Sequence, residues 1–79
     1  MKAWITKYAL TKGIMEIKAS PTGNPEMIEG PGSLEYYHGE GRDWHRTRES
    51  ALERAEVMRT NMIISLEKRI KNLRKMEWI

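Results

Sequence analysis

The chain has 79 residues, a formal net charge of +3, no cysteine and 39% apolar residues. That length holds one small domain, and the lack of cysteine excludes disulfide frameworks, thiolate metal sites and cysteine nucleophiles. No apolar run approaches the roughly 18 residues that span a bilayer, and the first residues lack the apolar stretch of a secretion signal, so a soluble, cytoplasmic protein is expected.

The front of the chain reads as short strands. Ala3, Ile5 and Lys7 alternate with Trp4, Thr6 and Tyr8, a stretch rich in β-branched and aromatic residues. Leu10-Thr11-Lys12-Gly13 reads as a turn, with Gly13 at a positive φ, before Ile14-Met15-Glu16-Ile17-Lys18 resumes an extended pattern. Strands near 3–8 and 14–19 would form an antiparallel hairpin. Ser20-Pro21-Thr22-Gly23-Asn24-Pro25 is turn-forming, Met27-Ile28 is a very short strand candidate, and Leu34-Glu35-Tyr36-Tyr37-His38 is the next strand. The short turns suit an antiparallel meander.

Thr47 is placed to cap a helix, with Glu49 near the positive end of its dipole. From Arg48 to about Met76 there is neither glycine nor proline, and strong helix formers dominate. Ala51, Leu52, Ala55, Met58, Met62, Leu66, Ile70 and Leu73 describe one apolar stripe, with Val57, Ile63 and Ile64 as a second, smaller flank. Glu67 and Lys71 have the spacing of a favourable helical pair. The expected fold class is therefore α+β: a small antiparallel sheet of three or four strands followed by one long C-terminal amphipathic helix. One domain, 1–79, is expected, strand-rich over residues 1–41 and helical over residues 47–76.

Length creates a mismatch between sheet and helix. About 28 helical residues span roughly 42 Å, whereas a strand of five or six residues covers only about 17–20 Å. A small sheet covers the first half of such a helix. The rest of the stripe, Leu66, Ile70, Leu73 and Trp78, must project, fold back, pair with another copy or dock on a different protein. Charge is uneven in the same sense: residues 1–41 carry a net −1 and residues 42–79 a net +4, concentrated in Lys68, Arg69, Lys71, Arg74 and Lys75. Such a cluster attracts phosphates or acidic protein surfaces, or is simply a solvated helix face.

Candidate chemistry is sparse. His38, Glu40, Arg42, Asp43, His45, Arg46 and Arg48 form the densest polar group, but His-x₆-His is not a specific metal spacing and no HExxH occurs. No metal, cofactor or catalytic residue is expected. The local reading is that Trp44 plugs the junction between sheet and helix, while Asp43, His45 and Arg46 satisfy backbone groups around the loop and cap. Gly39-x-Gly41 lacks the remainder of a phosphate loop and reads as a turn.

The run Tyr37-His38-Gly39-Glu40-Gly41-Arg42-Asp43-Trp44-His45-Arg46-Thr47-Arg48-Glu49-Ser50-Ala51 resembles a recurring segment of small phage and prophage accessory proteins. There an extended segment and a Trp-His-Arg-Thr stretch lead into a helix opened by Glu-x-Ala. That helix continues with Ala-Glu-x-Met-Arg, here Ala55-Glu56-Val57-Met58-Arg59. The opening Trp4-Ile5-Thr6-Lys7-Tyr8-Ala9-Leu10-Thr11-Lys12-Gly13-Ile14 is similar to the openings of such proteins. The resemblance implies an accessory protein that binds and obstructs host machinery, and it brings no catalytic residue.

The functional expectation is a non-enzymatic interaction or oligomerising protein, with Leu66, Arg69, Ile70, Leu73 and Arg74 as the interface. The partner would be another protein or a second copy, with no membrane involved. The alternative is a nucleic-acid-binding accessory protein using Arg42, Arg46, Arg48, Lys68, Arg69, Lys71, Arg74 and Lys75. In that case Trp4, Tyr8, Tyr36 and Tyr37 would have to face outward to stack bases.

Overall fold

A computed structural model describes residues 1–32 and 34–78. The predicted hairpin forms: β1 (Lys2–Ile5) pairs antiparallel with β2 (Met15–Lys18), Ala3 opposite Ile17 and Ile5 opposite Met15. The nine residues between the strands are more ordered than a plain turn. Ala9–Lys12 make one helical turn, α1, closed by the Gly13 N–H donating to the Ala9 carbonyl. Gly13 has φ 74°, a conformation that a side chain would oppose.

After β2 the chain passes directly from one sheet into another. β3 (Ser20–Pro21), β4 (Met27–Glu29) and β5 (Tyr36–His38) form an antiparallel meander, and Ala19, buried at the join, exchanges two backbone hydrogen bonds with Met1. The expected single meander is thus two sheets. A further strand, β6 (Trp44–His45), pairs antiparallel with β1 and completes the first sheet in the order β2-β1-β6. It lies beyond the strand-rich residues 1–41 and is an addition to the expected elements. Leu34, expected to open the third strand, instead sits in a turn at φ 58°. The α+β class itself holds, with α2 spanning Arg48–Lys75.

Strand alternation gives the first sheet two unlike faces. Ala3, Ile5 and Trp44 point one way and cluster with Ala19 at the join and with Ile28 and Tyr37 of the second sheet, flanked by Met15 and Ile17. Trp44 is fully buried there, its Nε1–H donating to the Glu26 carbonyl at 2.9 Å. It therefore fills the space between the two sheets, not the junction of sheet and helix as expected. The register puts Trp4, Thr6 and His45 on the opposite face, where α2 packs. The layers run second sheet, first sheet, helix.

The core is small, with three alanines among the seven buried apolar residues of the described part. Large side chains such as Trp44 carry much of the apolar burial in a domain of this size. The molecule is nonetheless long, with extents of 57 × 26 × 20 Å and a radius of gyration of 16.8 Å.

Candidate functional site

Helix α2 begins as the sequence predicts. Thr47, extended at φ −126°, accepts a hydrogen bond from the Ser50 N–H through its hydroxyl, satisfying one of the free donors of the first turn. Glu49 sits in that turn and Arg74 and Lys75 in the last, the arrangement that the helix dipole favours.

What anchors the helix is a polar seam. His45 is buried; its Nδ1 lies 2.7 Å from Ser50 Oγ and its Nε2 3.0 Å from Thr6 Oγ1. The Thr6 hydroxyl donates its single proton to the Arg42 carbonyl at 2.6 Å, so toward His45 it accepts. That assigns the ring proton to Nε2 and leaves Nδ1 to accept from Ser50. Burial holds the His45 pKa below its ordinary value, and the nearby Arg54 charge adds to this, with Glu40 opposing. Arg54 reaches inward from α2 with its Nε buried and without a hydrogen-bond partner among the described residues.

This seam replaces the backbone-satisfying roles expected around the loop. The Asp43 carboxylate pairs with Arg42 at 3.4 Å, and Arg46 pairs with Glu40 at 2.7 Å while lying over the Trp44 ring. Gly39 and Gly41, both at positive φ, serve the turn. His38 is exposed on β5 of the other sheet, apart from His45. Among the described residues no group of three or more metal-ligating side chains gathers.

The sheet covers little of the helix. Ala51 is buried, and Arg54, Ala55 and Met58 are half-buried; from Arg59 to Lys75 every residue is exposed. That run projects about 25 Å beyond the last covered turn. The single apolar stripe expected from the sequence is split: Ala51, Ala55 and Met58 face the sheet, whereas Leu52 and all of Met62, Leu66, Ile70 and Leu73 face solvent.

At about 100° per residue, Ile63, Leu66, Ile70 and Leu73 form a narrower stripe about a quarter turn away from the sheet-facing side. Each of the four is close to half exposed, 47–56%. Arg69 borders this stripe on one side and Arg74 on the other, with Glu67 beside Arg74. All five predicted interface residues thus gather on one exposed surface. Ile63, which the sequence pattern alone places on a minor flank, belongs with them; its spacing of three to Leu66 and seven to Ile70 is the signal for it. A shallow open groove lined by Glu67, Ile70, Lys71, Arg74 and Lys75 runs along the basic edge. Glu67 and Lys71 share that groove without forming an ion pair, whereas Glu56 and Arg59 do form one.

The nucleic-acid set falls into two separate groups. Arg42 and Arg46 are engaged by acidic neighbours, and Arg48 lies about 30 Å along the helix from Lys68. Lys68, Lys71, Arg74 and Lys75 share about a third of the helix circumference, while Arg69 lies on the other side of the apolar stripe. Tyr37 is buried, its hydroxyl donating to Glu35, so the four aromatics do not form an outward platform. Among the described residues no helix is long and apolar enough to cross a membrane. No protein-family model, curated protein or solved structure matches the chain.

Proposed function

We propose that the chain is a non-enzymatic, cytoplasmic interaction protein whose docking element is the distal half of α2. The observation that carries this reading is the exposed run Arg59–Lys75, which presents Ile63, Leu66, Ile70 and Leu73 in one stripe. A contiguous apolar face rimmed by charge is a common mark of a protein-binding surface, and amphipathic helices are recognised through anchors at such spacings. Leu66, Arg69, Ile70, Leu73 and Arg74 are its interface. In the phage setting implied by the resemblance, the target is a host complex, which the helix obstructs by occupying a site on it.

The test is face-specific cross-linking in the cells that make the protein. A photoreactive residue at Ile70 or Leu73 should give one discrete adduct, and the same residue at Ile64, on the opposite side of the helix, should not. Equal labelling from both faces, or none from either, would sink the reading.

Binding of nucleic acid is the second reading. It is favoured by the distal cations Lys68, Arg69, Lys71, Arg74 and Lys75, which make no ion pair among the described residues. It requires binding that weakens steeply with salt.

A further inference from the structure

Building on the interaction reading, we infer that the occupant of the distal stripe is an acidic amphipathic helix of another protein, not a second copy of this chain. Ile63, Leu66, Ile70 and Leu73 are spaced three, four and three apart, with isoleucine and leucine alternating as at the a and d positions of a two-stranded coiled coil. The flanking e positions are then Glu67 and Arg74, and the g positions Met62, Arg69 and Met76.

Pairing two copies meets like charges in either direction. In a parallel pair the g residue of one helix faces the following e residue of the other, which sets Arg69 against Arg74. In the antiparallel pair that keeps all four apolar layers, Ile63 faces Leu73 and Leu66 faces Ile70. The two-fold axis then falls near Lys68, setting Arg69 against Arg69 on one flank and Glu67 against Glu67 on the other. Neither alignment gains length, because the stripe meets Arg59 and Glu56 at its upper end and the helix stops at Lys75. Two heptads with repulsive edges are a poor homodimer.

An acidic partner removes that conflict. Carboxylates opposite Arg69 and Arg74 complement both edges, against one like-charge contact at Glu67, and Lys68, Lys71 and Lys75, away from the seam, add to the positive field in which such a helix is attracted. Because all these groups are exposed, the charge preference is sensitive to salt.

The experiment uses the full chain and two synthetic 28-residue amphipathic peptides. Both carry the same isoleucine and leucine core; one has glutamate at every e and g position, the other lysine. The glutamate peptide should bind at least tenfold more tightly at low salt, and the gap should shrink as salt rises. The double variant R69E/R74E, altered only at exposed positions, should reverse the preference.

Equal affinity for the two peptides would overturn the inference. So would a homodimer, seen by sedimentation equilibrium, that R69E/R74E leaves unchanged, although the interaction reading would stand. Binding only to anionic vesicles or to DNA would overturn it as well. If neither peptide binds and face-specific cross-linking also fails, the interaction reading falls with it.

Discussion

His45 Nδ1 accepts the Ser50 hydroxyl proton across 2.7 Å, joining the last strand of the first sheet to the first turn of the helix. The same Ser50 gives its backbone N–H to Thr47, so one residue serves both the cap and the seam. Ser50→Ala should cost about 1–2 kcal/mol, since it leaves a buried ring nitrogen without a partner. Thr47→Ala should cost about 1 kcal/mol. Urea melts of the two single variants and the double would show coupling through the shared turn.

Acid should weaken the fold through His45. Its folded pKa lies below the ordinary 6.5, so between the two values the unfolded chain binds the extra proton. The contribution of His45 is complete above pH 6.5 and is lost as the pH falls toward the folded value. His45→Gln should flatten the stability–pH curve in that window, whatever it does to overall stability. Arg54→Met removes a repelling charge and an unpaired buried Nε, and should reduce the slope without a large loss of stability.

At the other end of the scale, Tyr37 is pushed up to about 12, first by burial and then by its hydrogen bond to Glu35 and the Glu35 charge. The neutral form is the folded one, so stability should decline as the pH rises from 10 toward 12. Chemical denaturation at about pH 9 and about pH 11, on either side of the ordinary tyrosine value, would reveal a deficit that Tyr37→Phe lacks.

Core and distal helix should respond oppositely to substitution. Trp44→Ala removes the largest buried side chain and should cost roughly 3–5 kcal/mol, enough to unfold much of so small a domain. Ile70→Glu with Leu73→Glu alters only exposed positions and should stay within about 0.5 kcal/mol per site. Thermal melts followed by circular dichroism separate the two; a large loss for the helix pair would place those residues in the fold, not in an interface.

Leu34 holds φ 58° while 85% exposed, so its side chain gains little from packing and strains the backbone. Leu34→Gly should be neutral to stabilising by about 0.5–1 kcal/mol, read from the midpoint of a urea melt.

Elements with local signals are readable in the sequence. The first hairpin, the positive φ of Gly13, the Thr47 cap and the length of α2 all follow from neighbouring residues. β6 is not, because two residues cannot display a period of two and their pairing partner lies some forty positions earlier. The same brevity hides which way Trp44 and His45 point: only the register against Ile5 and Trp4 assigns Trp44 to the inter-sheet core and His45 to the helix. On α2 the candidate residues Leu66, Ile70 and Leu73 are visible as an apolar run. Ile63 joins them only once Ala51, Arg54, Ala55 and Met58 define which side faces the sheet.

The projecting helix also governs how the molecule moves through a matrix. A compact chain of this length has a radius of gyration of about 12 Å, against 16.8 Å here. A single copy should therefore elute from a sizing column at an apparent mass roughly two to three times its own. Light scattering, which weighs the particle, should return 9.3 kDa from that same peak.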